Sequence, residues 1–295
     1  MKPFLLIYDD RCPLCNWYSG LFTRVGWLPA DGRKPFSSIR DNEFPQLDIS
    51  RGMQEIPLLD RSTGSFYYGL DALLLIIEQH HPLLVKPARF KPMYWFLKKL
   101  YKLVSFNRKV IVAVPCGQNG FDCSPDFNIR YRSLFMFLLL LLNTLLLFPL
   151  HHRVFSTLPW YQHSLTGLQT AHFAMVGIHL MIASYLGVKK GFEFLGQISI
   201  LALITTMACV PLLLLTPWLK ITWFFNGWFA LTGVVIFREW LRRMDYVGLI
   251  QEKRWLAAFH LVAVCVDLIV SYRMTVFSGF NKAVPREGDC LIISS

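Results

Sequence analysis

Hydrophobic positions change their rhythm near residue 133. Before it, apolar stretches are short and broken by charge, Gly and Pro; after it they run long. In the first part, residues 3–8, PFLLIY, form a short apolar run of the kind carried by a buried strand. Asp9 to Arg11 read as a turn. CPLCNWYSGLFTRVGWL then reads as a helix, with Pro13 in the first turn, where its missing N–H is not needed. KPFSSI, residues 34–39, predicts a second strand. IPLLD and SFYYG predict two strands joined by a turn through Ser62, Thr63 and Gly64, and Leu70 to His80 predicts an apolar helix with Asp71 near its start. Residues 91–109, KPMYWFLKKLYKLVSFNRK, predict a further helix with Lys98, Lys99 and Lys102 on one side. It reads either as an interfacial helix or as a terminal helix packed on the sheet.

Beyond residue 133 lie five apolar runs of membrane-spanning length: Leu134 to Leu150, Leu168 to Val188, Phe194 to Leu215, Ile221 to Phe237 and Leu256 to Tyr272. Composition sharpens this picture. Over 295 residues, 54% are hydrophobic and only 17% charged, too apolar for an ordinary soluble protein. The expected fold is an α/β domain at residues 1–110, a linker at 111–132 and an α-helical transmembrane bundle of about five spans at 133–295. The net charge of +11 reads as topological charge and contact with anionic lipid rather than nucleic-acid binding. MKPFLLIYDD is too short in its apolar core for a signal peptide. Lys and Arg gather on the side of the spans shared with the N-terminus: Arg130, Arg132, Lys189, Lys190, Arg238, Arg242, Arg243, Lys253 and Arg254. The bias predicts a multi-pass protein of the inner (plasma) membrane, with its N-terminal domain cytoplasmic and its C-terminus outside.

The chemistry begins at YDDRCPLCN, residues 8–16. Cys12 and Cys15 are two residues apart at the end of a strand and the start of a helix. A redox pair, half a metal site or two inert core thiols all have this spacing. A helix N-terminus favours a thiolate through its partial positive charge and free N–H groups, which points to Cys12 as nucleophile and Cys15 as the resolving thiol. The order strand, Cys-helix, strand, hairpin, helix is that of a short thioredoxin fold.

On these residues the sequence resembles the DCC family of thiol-disulfide oxidoreductases. Asp9, Cys12 and Cys15 match its Asp-x-x-Cys-x-x-Cys signature, FYYGLDALLLII its aromatic-Gly segment and SFNRKV its closing Asn-Arg. The resemblance covers roughly residues 3–110. Asp10 departs from it, standing where the family usually has Gly. The resemblance implies disulfide exchange or reduction at Cys12 and Cys15. Asp9 would then take or give the proton of Cys15, or else merely cap the helix. Pro57 resembles the proline that faces the CxxC in thioredoxin folds, and a cis bond is expected there.

Cys116 and Cys123 form a second pair, with six residues between them. With Cys12 and Cys15 they could hold zinc, but the gap is wide for a zinc knuckle and the first pair has a redox explanation. No metal and no cofactor is therefore expected. Cys116 and Cys123, together with Cys209 and Cys265 in the spans, form a possible thiol relay. His172, His179, His260 and Asp267 form a possible intramembrane polar site, for a proton path or haem ligation, because ionisable groups in spans usually face the bundle interior. The expected partners are a disulfide-bearing protein or small thiol and membrane lipid, with no nucleic acid; oligomeric state stays open. A contrary reading is a membrane transporter, sensor or cofactor-bearing protein regulated by its N-terminal domain. A third is a zinc-binding adaptor.

Overall fold

The computed structural model describes residues 3–40, 42–113, 127–158, 164–216 and 222–281. The chain divides into two compact units, Met1–Leu138 and Leu139–Ser295. The first unit opens with β1 (Phe4–Tyr8), α1 (Pro13–Arg24), β2 (Arg33–Pro35), α2 (Ile49–Gln54), β3 (Pro57–Asp60) and β4 (Ser65–Tyr68). It continues with α3 (Leu70–Glu78), α4 (Pro82–Ala88) and α5 (Lys91–Val112). The four strands form one mixed sheet in the order β2-β1-β3-β4. β1 pairs parallel with β2, Leu6 opposite Arg33, and antiparallel with β3, Leu6 opposite Leu58; β3 and β4 form the antiparallel hairpin.

All five residues of β1 are buried, as an apolar run with both faces covered requires. Alternation divides four of them between two clusters. Phe4, Leu6 and Tyr8 pack with Leu28, Ile56, Leu58, Ala72 and Ile76, while Ile7 packs with Phe36, Leu47 and Tyr68. The strand expected at residues 34–39 is shorter than expected. It ends at Pro35, which has no N–H for a ladder, and Phe36–Ser38 form a 3-10 turn. α2 has no counterpart in the expectations; Asp48 caps it by accepting the Arg51 N–H.

Tyr101, Ser105 and Arg108 lie at i, i+4 and i+7 and form a polar stripe along α5. The Ile56 N–H donates to the Tyr101 hydroxyl, the Ser105 hydroxyl donates to the Gln54 carbonyl, and Arg108 donates to the Met53 carbonyl. The stripe fastens α5 to the α2–β3 segment. Trp95 and Phe96 on the same helix remain exposed. Of the two expectations for this helix, packing on the domain describes its stripe face.

From Ile129 onward the described residues form the helices α6 (Ile129–Arg153), α7 (Leu165–Leu186), α8 (Val188–Leu215), α9 (Thr222–Tyr246), the short α10 (Leu249–Glu252) and α11 (Arg254–Asn281). Among the described residues, three helical stretches are long and apolar enough to cross a membrane: Ile129–Thr157, Leu165–Leu186 and Val188–Leu215. The other two apolar runs lie in α9 and α11. α9 is diluted by Asn226 and by the charged stretch from Arg238 to Asp245. α7 and α8 meet through Gly187, whose φ is +79°. At Gly191 a Cβ would lie 2.4 Å from the Ala183 carbonyl oxygen, so glycine allows the two backbones to touch. Ile182, Phe194, Trp240, Met244 and Leu256 form one buried cluster of this unit, and Leu150, Val154, Cys209, Leu212 and Phe225 another.

Candidate functional site

β1 delivers the chain to Asp9, and the turn that follows delivers Cys12 to the head of α1. Cys12 is the N-cap: its backbone is extended and its sulfur accepts the Cys15 N–H at 3.5 Å. Pro13 occupies the first turn. Cys15, one turn inside, is 4% exposed, whereas Cys12 is half-buried. The Asp9 carboxylate accepts the Arg11 N–H at 3.1 Å, and the Asp9 carbonyl accepts the Cys12 N–H at 3.2 Å. Cys12 therefore caps the helix, and Asp9 holds the turn before it. The ligand-capable atoms of Asp9, Cys12 and Cys15 all lie within 4.8 Å of one another.

Arg108 completes the cluster from the far end of α5. Its guanidinium lies 3.7 Å from Cys15 Sγ and 3.5 Å from Asp9 Oδ2. The consequence is an asymmetric pair of thiols. Cys12 is lowered from 9.0 to about 6, chiefly by the hydrogen bond from the Cys15 thiol and, among lesser causes, by the Cys15 N–H and Arg108; burial and Asp9 oppose. Cys15 is raised, first because it donates to the Cys12 sulfur and then because it is buried. One thiol is thus ionised near neutral pH and the other holds its proton. Arg108 stays cationic: burial opposes its charge, and Cys15, Asp9 and Cys12 outweigh the burial. Burial raises Tyr18, whose hydroxyl meets the Cys15 thiol, and raises Tyr101 to about 12, so both remain neutral.

Three potential metal ligands converge here, but the Arg108 guanidinium stands where a cation would, against both Asp9 and Cys15. The donor set suits proton and sulfur chemistry better than a divalent ion. Asp10 turns away from the pair: the Ser37 N–H and hydroxyl donate to its two carboxylate oxygens at 3.3 and 2.9 Å.

Pro57 corrects an expectation. No cis peptide bond occurs among the described residues, so the bond before Pro57 is trans. Pro57 opens β3 opposite Tyr68, a strand start where a missing N–H is tolerated. Arg108 is the residue missed in the sequence. Its signal was present in the Asn-Arg of SFNRKV and in the i, i+4, i+7 polar stripe. Its neighbour Asn107, fully buried, donates to the Leu103 and Tyr131 carbonyls and fixes the end of α5.

In the second unit the structure joins two of the four polar residues singled out. His179 Nε2 and His260 Nε2 are 3.0 Å apart, and the Trp240 indole N–H donates to His260 Nδ1 at 2.9 Å. That indole bond places a lone pair on Nδ1, so His260 carries its proton on Nε2 and donates it to His179. His260 then has no lone pair left for a metal or haem iron. His172 is turned instead to the Thr144 hydroxyl, 3.5 Å away. Asp267 is half-buried two turns beyond His260 on α11. Cys209 is buried among Leu150, Val154 and Leu212, whereas Cys265 is exposed, so Cys265 has no place in the cluster that holds Cys209. Cys116 and Cys123 lie outside the described residues.

Residues 6–113 match the family described as DCC1-like thiol-disulfide oxidoreductase, and Cys12 and Cys15 lie inside the matched stretch. Helices long and apolar enough for a membrane follow it. No curated protein and no solved structure matches the chain.

Proposed function

We propose that the protein is a membrane-anchored thiol-disulfide oxidoreductase whose thioredoxin-like domain exchanges or reduces disulfides at Cys12 and Cys15 on the cytoplasmic side. The observation that carries this reading is the split pair: Cys12 at the helix cap, lowered to about 6, beside a protonated, buried Cys15 and the Arg108 guanidinium. The Cys12 thiolate attacks one sulfur of a disulfide, forms a mixed disulfide and expels a thiolate. Cys15 loses its proton, attacks the Cys12 sulfur and releases the second thiol. Once Cys12 is neutral in the mixed disulfide, the bond that held the Cys15 proton in place is lost, and Arg108 favours the new thiolate. Asp9, paired with the same guanidinium, is the nearest carboxylate to receive that proton.

The substrate of this reading is a disulfide-bearing protein or small thiol, with membrane lipid as the second partner. Anchoring uses five spans, the three stretches long and apolar enough to cross a membrane together with α9 and α11, which hold the other two apolar runs; the loop charges favour an outside C-terminus. The test is trapping. In the full chain, Cys15→Ala should leave substrates disulfide-linked to Cys12, recoverable by reduction and absent from Cys12→Ala. Absence of any adduct, with equal slow alkylation of both thiols, would sink the reading. A reporter fused after Ser295 tests the topology: activity in the cytoplasm there would reverse the assigned side.

A further inference from the structure

An apolar cavity of about 410 Å³ lies between α1, α3 and α5 within the first unit. Its walls include Phe22, Leu73, Leu97 and Val104, and its lining includes the buried resolving thiol Cys15 and Arg108. The volume is in the range of small-molecule sites and well above the ~150 Å³ void that holds benzene. Leu100 and Val104 are partly exposed and form an outer rim, while Cys15 and Ile56 are buried at depth. An apolar opening therefore leads to the sulfur chemistry, and not to an inert part of the core.

We infer that this cavity seats an apolar substituent of the substrate, so that the preferred substrate is a low-molecular-weight disulfide carrying an alkyl or aryl group. The inference rests on the thiol-disulfide reading above and adds the substrate class to it. Cys15 lines the cavity and Cys12, just outside it, presents its sulfur within 4.8 Å of that of Cys15, so the substituent of a substrate bonded to Cys12 starts close enough to turn into the cavity. Its substituent can follow the carbon walls outward. A charged or strongly polar group placed there would lose water without gaining partners, because the walls offer carbon. The polar groups at the floor are already engaged: Arg108 by Asp9 and the Met53 carbonyl, Tyr101 by the Ile56 N–H. The step balances as reduced protein plus RSSR′ giving the Cys12–Cys15 disulfide plus RSH and R′SH. The Cys12 thiolate, the Cys15 S–H bond and the substrate S–S bond are exchanged for the protein S–S bond, one product thiolate, which takes a proton from water, and one product S–H bond. The protein is oxidised and the substrate reduced.

The experiment is a single-turnover comparison on pre-reduced full-length protein in detergent, using two uncharged disulfides. These are bis(2-hydroxyethyl) disulfide and 2-hydroxyethyl n-hexyl disulfide, with the uncatalysed reaction of each with a free thiol as reference. Relative to that reference, the hexyl compound should react on the order of 10- to 200-fold faster at low concentration, the discrimination an apolar pocket can supply. The gain should reside in half-saturation rather than in the limiting rate. Val104→Trp, which fills the rim, should bring the ratio toward unity, and Leu84→Ala, which removes an exposed apolar group outside the cavity, should not change it. A ratio near unity in the wild-type protein overturns the inference while leaving the oxidoreductase reading in place. So does a preference that survives Val104→Trp. Failure to turn over either disulfide overturns that reading itself, and the inference with it.

Discussion

Two buried polar clusters, one in each unit, answer the same physical problem in opposite ways. In the first unit, the Arg108 guanidinium lies 3.5 Å from the Asp9 carboxylate and 3.7 Å from the Cys15 sulfur, and the result is an unequal pair of thiols. In the second, His179, Trp240 and His260 close a chain of neutral hydrogen bonds of 3.0 and 2.9 Å. The first is poised, because moving one proton or one sulfur changes the balance of charge around Arg108. The second is satisfied at its centre, because both ring nitrogens of His260 are engaged, and adding a proton to His260 would break the indole bond. Burial alone therefore does not mark chemistry. The difference lies in whether the hydrogen bonds hold an ion that a reaction can consume.

The sharpest way to test that contrast is to remove one member of each cluster. Cys12→Ser should reduce disulfide exchange to the uncatalysed background. His260→Ala in the same assay should leave exchange unchanged while weakening the helical unit. Loss of exchange in His260→Ala would mean that the second cluster takes part in the chemistry, and the alternative of a membrane sensor or transporter would gain ground.

Next in size is Trp240→Phe. It leaves the ring but removes the donor from His260 Nδ1, which sits in a site where His260 is 2% exposed. An unpaired buried acceptor costs about 1–3 kcal/mol, so thermal unfolding in detergent should shift down while exchange by Cys12 persists. An unshifted transition would show that the indole bond does not hold the histidine.

Arg108→Met tests the first cluster from its far side. The guanidinium helps to lower Cys12, so its loss should raise the Cys12 midpoint, seen in the pH dependence of alkylation, from about 6 toward the ordinary 9.0. In the wild-type protein the alkylation rate should rise through about pH 6 and then level off. A shift of one unit in the variant means roughly tenfold less thiolate below the midpoint. Arg108→Lys should recover part of the shift, because a point charge replaces the fork without its paired contacts. An unmoved profile would leave the Cys15 hydrogen bond and the helix N-terminus as the sole cause.

Much of the first cluster was legible in the sequence. The apolar run of β1, the Pro13 at a helix start and the hairpin turn at Gly64 are local signals, and they placed Cys12 at the cap and Cys15 one turn inside. Arg108 was less legible because Cys15 and Asp9, its partners in the site, are more than ninety residues away, and no periodicity reports contact across that separation. The trans bond at Pro57 also depends on tertiary packing, which proline identity alone does not encode. In the second unit, the seven-residue spacing of His172 and His179 marked one face of α7, yet the two residues have different partners. Which histidine meets α11 depends on helix rotation and crossing, and these are set by packing contacts such as Gly191 against Ala183.

The smallest expected effect concerns Asp10, the departure from the family pattern. An extra carboxylate two residues before Cys12 would, by charge alone, raise the thiol and oppose Arg108. The structure gives reason for a weak effect. Asp10 is at the surface, its carboxylate is engaged by the Ser37 N–H and hydroxyl, and Asp9 is the carboxylate that opposes ionisation of Cys12. Exposed charge interactions are worth about 0–1 kcal/mol, which corresponds to at most ~0.7 of a pH unit. Asp10→Asn keeps the shape and removes the charge, so the alkylation midpoint should fall by a few tenths of a unit at low salt, within the bound above, and by less at high salt. Ser37→Ala in the otherwise wild-type chain should move it slightly the other way, by freeing the carboxylate. A fall as large as the rise in Arg108→Met would make Asp10 an equal member of the cluster, and the contrast between a charged, poised site and a closed neutral one would then have to include this second acid.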